Sequence, residues 1–271
     1  KWLNDTVGGM MNAEARFGLP NHGRADQLLI NRTYTIGYSY LHRSARWCAY
    51  TIEDGDTIGE TTTDRTDVFR VDARIPPQFA TEPGDYLRTG YDRGHLLPAG
   101  ARRRESTLEQ SETFLMSNIV PQLPDLNRGS WKSLEITLRK IVALPDIHEA
   151  IVVCGPCWSL FEQELLRRPD EHARAVIPIP VGFFKTVLLH SASGRLDLIT
   201  FHFVQCNLET LSDLTADESE FLFDYEIVPT SETESITGLR LFPDLVSERI
   251  EKQRGDISQS ENLFRDLCDK V

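Results

Sequence analysis

Apolar residues in this chain fall into short blocks of two different periods, and turn-forming residues separate the blocks. Tyr34-Thr35-Ile36-Gly37-Tyr38 and Trp47-Cys48-Ala49-Tyr50-Thr51-Ile52 flank a polar break near His42-Arg43-Ser44. Aromatic and β-branched runs on either side of such a break predict a β-hairpin. Residues 151–153, 181–189 and 196–204 are apolar runs of strand length and read as buried strands. At 130–142 the period changes to about 3.6, and Trp131, Leu134, Leu138, Ile141 and Val142 share one helical face. The same period predicts helices over 159–168 and 244–254, and a shorter one over 106–114. Residues 1–30 read as an arm or short helix leading to a turn, and 53–67, rich in Thr, Asp and Gly, as a surface connection. With no repeat, low-complexity tract or linker to divide it, the chain is expected to form one mixed domain over 1–271, with a C-terminal appendage.

Length and composition narrow the classes. At 271 residues the chain can bury a substantial core. It has no apolar run of 18 residues and no signal-peptide pattern at its start, so no membrane partner is expected. Cys48, Cys154, Cys157, Cys206 and Cys268 are scattered and odd in number, which argues against a disulfide framework and favours a reducing, intracellular setting. The net charge of -12 is unfavourable for binding a polyanion. Residues 65–140, however, carry 12 Lys and Arg against 10 Asp and Glu, whereas the rest carries 17 against 31. A local groove can therefore be basic on an acidic body; a mixed solvated surface fits the same count.

Chemistry concentrates in that window. Asp92-Arg93-Gly94-His95 puts an imidazole, a guanidinium and a glycine within four positions. An imidazole accepts a proton near neutral pH, and a guanidinium presents paired donors to phosphate oxygens. Downstream, Asn127, Trp131, Glu135 and Arg139 are spaced by four, so a helix starting near Asn127 would align them on one face. A hard cation such as Mg²⁺ needs only one or two protein oxygen ligands; Asn127 offers one, and Glu135 can hold metal-bound waters. Taken singly, Asn127 also suits a helix N-cap and Glu135 a surface ion pair with Arg139.

The series Phe69-Arg70-Val71-Asp72, Asp85-Tyr86, Gly90-Tyr91-Asp92-Arg93-Gly94-His95, Thr113-Phe114-Leu115-Met116-Ser117-Asn118, Pro121-Gln122, Leu126-Asn127, Trp131, Leu134-Glu135 and Arg139 resembles the DNA/RNA non-specific endonucleases of the ββα-metal type. Within that family it is most similar to the endonuclease G branch, over about residues 17–246. The resemblance implies an α+β fold with a central, mainly antiparallel sheet flanked by helices. It implies cleavage of double- and single-stranded DNA and of RNA to 5′-phosphate products, with Mg²⁺ as cofactor and Mn²⁺ as a substitute. His95 would be the general base, Asn127 the direct metal ligand and Glu135 a ligand through water. Arg70, Arg93 and Arg139 would clamp phosphate, and Asn118 would position the loop around the histidine. Arg102, Arg103 and Arg104 form a cluster that can track a phosphate strand or simply be solvated. A homodimer and an inhibitor protein are the partners the resemblance implies, in mitochondria if the source is eukaryotic or in bacterial cytoplasm.

Two rival readings come from the same residues. One is a nuclease fold that binds nucleic acid or a partner without cutting. The other is thiol redox chemistry at Cys154-Gly155-Pro156-Cys157, which follows a strand-like run and precedes a helical one. His22, His42, His148, His172, His190 and His202 show no close metal-ligand spacing and read as surface or core residues.

Overall fold

The computed structural model describes residues 13–20, 25–53, 68–101, 107–159, 163–167, 176–205 and 225–271. In chain order its elements are β1 (Gln27–Ile30), β2 (Tyr34–Ser39), β3 (Ser44–Glu53), β4 (Asp92–His95), α1 (Thr107–Thr113), β5 (Ile119–Gln122), α2 (Pro124–Arg128) and α3 (Ser130–Val142). They continue as β6 (Ile147–Cys157), β7 (Leu165–Leu166), β8 (Ile177–Pro178), β9 (Gly182–Ser191), β10 (Leu196–Val204), β11 (Tyr225–Ile227), α4 (Thr230–Thr237), α5 (Glu248–Gly255) and α6 (Ser258–Cys268). Seven strands form one antiparallel sheet in the order β1-β2-β3-β6-β9-β10-β11, while β4 pairs with β5 and β7 with β8. The fold is thus α+β, as the sequence predicts.

Both faces of the sheet are covered, which is why β6 and β9 lack a polar alternation. Because side chains alternate along a strand, Ala150, Val152 and Cys154 of β6 face one cluster and Ile151 and Val153 the other. The first cluster includes Trp131, Leu134, Leu138, Ile141 and Val142 of α3, Leu96 and Leu97 after β4, and Phe264 and Leu267 of α6. The second includes Leu239, Leu241, Phe242, Leu245 and Ile250, with Phe17 packed against it. The apolar stripe read at 130–142 therefore docks one face of the sheet, next to the strand that carries His95.

Several expectations shift. Over 159–168, Leu165 and Leu166 pair with Ile177 and Pro178 as strands instead of forming a helix. Residues 160–162 and 168 lie outside the described residues. The helix predicted over 244–254 begins only at Glu248, because Ser247 caps it by accepting a hydrogen bond from Ile250 N at 3.1 Å. Upstream, Leu245 and Phe242 still bury in the second cluster without being helical. The C-terminal residues 247–271 are largely helical. Among the described residues no helix is long and apolar enough to cross a membrane. Most of 53–67 and of the acidic residues 209–226, together with Cys206, His22 and His172, fall outside the described residues.

Candidate active site

Asp92-Arg93-Gly94-His95 is a strand, β4. Its register with β5 places Asp92 opposite Gln122 and His95 opposite Ile119. Gly94 is demanded by packing, since a β-carbon there would lie 2.6 Å from Gln122 Cγ and closer still to its amide. Gln122 is fully buried, so its side chain has little room to retreat.

Arg93 and His95, two apart, share one face of β4. Phe69 meets both: the Arg93 guanidinium carbon sits 4.3 Å from the Phe69 ring centre, and the His95 ring lies 5.4 Å from it. Phe114 meets the imidazole edge to face at 5.1 Å and also lies 5.2 Å from Phe69, so the three rings form a triangle. These aromatics are tied together by Arg70, whose N donates to Phe114 O at 3.1 Å and whose O accepts from Met116 N at 2.9 Å. Arg70 Nη1 is itself committed to Ser111 O at 2.6 Å. Asp72 anchors the same strip through Ser117 Oγ (2.7 Å) and Arg74 (2.6 Å). Burial would raise the Asp72 carboxyl, but the Arg74 and Ser117 hydrogen bonds outweigh it and hold it below its ordinary value.

Asn118 is fully buried, and its amide accepts from Leu97 N (2.9 Å) and donates to Leu97 O (3.0 Å) and Thr113 O (2.9 Å). It fastens the chain immediately after His95 to the turn before β5, and its polar atoms face backbone.

Asn127 lies in α2, not at the start of the long helix, so the expected continuous face with Trp131, Glu135 and Arg139 is broken. The break is Gly129, with φ -93° and ψ -115°, where a β-carbon would meet Asp125 O at 2.3 Å. Asn127 is therefore no N-cap of α3; it reaches back to β4, donating from Nδ2 to Asp92 Oδ2 at 2.9 Å. A carboxylate only accepts, so the amide orientation is fixed and Asn127 Oδ1 is turned away from Asp92. Arg128 completes the clasp with Nε and Nη2 at 2.8 and 2.7 Å from the same carboxylate. Burial pushes the Asp92 carboxyl up, and the Arg128 and Asn127 hydrogen bonds more than offset it, so it lies below its ordinary value.

Glu135 is not the surface partner of Arg139. Only 9% exposed, it lies 3.5 Å from the ammonium of Lys185, which is itself fully buried in β9 and sits 3.8 Å from the Trp131 ring centre. Burial raises the Glu135 carboxyl above its ordinary value, against the pull of Lys185 and Arg139. Trp131 belongs to the core, edge to face with Phe203 and Phe183. Arg139 reaches the turn after β4, its guanidinium within 3.9 Å of where a Gly100 β-carbon would stand. Arg102, Arg103 and Arg104 lie outside the described residues. Sequence reading passed over Lys185, although a lysine inside the run Phe183-Phe184-Lys185 of a strand read as buried was the available signal.

A second metal-capable group also escaped notice. His148, Glu149 and His190 bring one ligand atom each within 4.8 Å of one another, correcting the view that these histidines have no metal-ligand grouping. By composition, two imidazoles and a carboxylate are donors that suit a transition-metal ion. The thiol alternative fares differently: Cys154 and Cys157 both lie buried within β6, and burial pushes the Cys157 thiol up to about 12.

Comparison with known proteins supplies the family. A model of the DNA/RNA non-specific endonucleases matches residues 13–248. A protein named nuclease from Nostoc sp. is 30% identical over 215 residues, covering 78% of this chain and 71% of that protein. Human mitochondrial endonuclease G is 28% identical over 244 residues, covering 86% and 74%. The Danio rerio mitochondrial nuclease EXOG is 36% identical over 141 residues, so this match spans 52% of the chain and only 39% of that relative. In solved structures, EndoG in its complex with EndoGI has a TM-score of 0.71 at 23% identity over 89% of this chain and 92% of its own, which carries the fold. The chain belongs to the DNA/RNA non-specific endonuclease family, a family of metal-dependent nucleases, and is a hydrolase.

Proposed function

We propose that the protein is a Mg²⁺-dependent endonuclease that hydrolyses phosphodiester bonds in DNA and RNA with little sequence preference. The observation that carries this reading is the Asp92 clasp. It ties the strand of His95 to the helix of Asn127 and turns an amide oxygen outward, the donor type a hard cation prefers. Asn127 would hold the ion directly and Glu135 through waters. When bound, the ion supplies positive charge beside the phosphate.

His95, packed against Phe69 and Phe114, takes a proton from a water molecule as that water attacks phosphorus. The bond from phosphorus to the 3′-oxygen breaks, leaving a 5′-phosphate on the other product. Arg93 and Arg139 present donors to the phosphate oxygens, and Arg70 adds charge from the Phe114 side while its Nη1 stays on Ser111. Asn118 positions the loop and does not touch substrate. Contacts of this kind go to the backbone, so DNA and RNA are both substrates. The reading takes 1–271 as one domain, supported by the packing of Phe264 and Leu267 into the same core as α3. The inhibitor complex of the structural relative supports an inhibitor protein as a partner here too.

The test is incubation of the chain with plasmid DNA and with RNA, in Mg²⁺ or in EDTA. His95→Ala is expected to keep its circular-dichroism spectrum and lose nearly all cleavage. Unchanged substrates across a series of divalent metals would instead favour a binding module, and a fully active His95→Ala would overturn the mechanism.

A further inference from the structure

We infer that His148, Glu149 and His190 form a binding site for a divalent transition-metal ion of the Zn²⁺ class, separate from the catalytic centre. Along a regular strand His148 and Glu149 would point to opposite faces. The β6–β9 register slips between Ile147 and Glu149, so Ile147 faces Ser191, Glu149 faces His190, and His148 is the extra residue. A bulge of this kind re-aims a side chain, here bringing His148 beside the other two. The two rings lie edge to face at 5.5 Å, and His190 Nδ1 is 2.9 Å from Glu149 Oε1.

The site is remote from the endonuclease chemistry in two respects. Glu149 has the parity of Ile151 and Val153, which face the second cluster, whereas Leu96 beside His95 and α3 cover the opposite face. Cys154 donates to Leu96 O and so marks the catalytic end of β6; Glu149 is five residues away, about 16 Å at the rise of a strand. The donors differ as well. Asn127 and Glu135 offer oxygen alone, but two imidazoles with one carboxylate suit Zn²⁺ and its neighbours, leaving a further position for water. His148 is exposed, which gives an ion a path in.

Arg16 pairs with the carboxylate of the same site. Its guanidinium is 2.6 Å from Glu149 Oε1 and 44% exposed, so it can swing into solvent when a cation takes that oxygen. Metal and Arg16 therefore compete for Glu149, and loading the site loosens the tie between the short turn Ala13–Ala15 and the sheet.

The experiment is isothermal titration of the full chain with ZnCl₂, with Asn127→Ala as a control for the catalytic centre. Wild type and Asn127→Ala are expected to bind alike, while His148→Ala/His190→Ala binds at least about 100-fold more weakly, since losing two ligands costs more than losing a supporting contact. Arg16→Ala is expected to bind roughly two- to five-fold more tightly, the range of an exposed ion pair. His148→Ala alone removes an exposed ring, so it gives a reading even where His190→Ala unfolds the protein. Mg²⁺-dependent cleavage by His148→Ala should match wild type. Absence of Zn²⁺ binding by the wild type, or equal affinity in the double variant, would overturn the site, and unchanged affinity in Arg16→Ala would overturn the competition.

Discussion

Asp92→Ala tests whether the carboxylate matters through Asn127 or only through charge. Asp92 accepts from Asn127 Nδ2 at 2.9 Å and from Arg128 at 2.8 and 2.7 Å. Removing it frees the Asn127 side chain to rotate, so Oδ1 is no longer held where a cation would find it. A hydrogen bond to a charged group contributes about 1.5–3 kcal/mol. That agrees with the roughly 10- to 100-fold loss of metal affinity seen when a partner of a metal ligand is removed. The expected outcome is a rise of that size in the Mg²⁺ concentration giving half-maximal plasmid cleavage, with activity partly recovered at high Mg²⁺. Asp92→Asn keeps one acceptor oxygen and should fall between Asp92→Ala and wild type. Arg128→Ala should leave the Mg²⁺ dependence unchanged, because the Arg128 side chain is 71% exposed and Asp92 still holds Asn127. An Asp92→Ala enzyme with the wild-type Mg²⁺ dependence would refute the reasoning, and so would an Arg128→Ala enzyme as impaired as Asp92→Ala.

Three further outcomes follow from packing and charge. Gly94→Ala should lower stability by about 1–3 kcal/mol in urea unfolding, the range for overpacking, because Gln122 fills the space a methyl group needs. Lys185→Met should destabilise by about 3–5 kcal/mol by leaving Glu135 buried without its partner, and Lys185→Met/Glu135→Gln should recover part of that. His42, stacked on Trp158 at 4.4 Å, has its pKa lowered from 6.5 to about 4, first by burial and then by Arg46. The unfolded chain then takes up the proton first, so this contribution is complete above pH 6.5 and is lost as pH falls toward 4. The shift from 6.5 to about 4 caps the effect at roughly 3 kcal/mol. Thermal melts of His42→Gln between pH 7 and 4 should show a shallower decline than wild type, and an equal slope would refute the assignment.

The fold was legible wherever a segment has one dominant period. The hairpin at 34–52, the helix at 130–142 and the strands at 182–191 and 196–204 each carry a single pattern over many residues. Segments of mixed environment were not. Leu165 and Leu166 lie on a helical period yet pair with Ile177 and Pro178, since a two-residue strand is specified by its partner and not by its own repeat. At the site, residue type and spacing put forward His95 on β4, Asn127 on α2 and Glu135 on α3 as candidates. Their support was not visible: the break at Gly129 depends on a close approach to Asp125 O, and Lys185 reaches Glu135 from 50 residues away. His148 and His190 meet only because a strand slips by one residue, which alternation along a single sequence does not encode.

The place of α6 bears on the order in which the chain can acquire its structure. Phe264 packs edge to face on Phe201 of β10 at 4.9 Å and on Tyr225 of β11, and Ser260 Oγ donates to Leu198 O. The family-matched residues end at 248, yet this stretch of sheet takes its cover from beyond them. During synthesis at roughly 5–20 residues per second, β10 emerges several seconds before residues 258–268 do. Through that interval Phe201 and Tyr225 face water, and they form a surface on which a chaperone, or another nascent chain, can act.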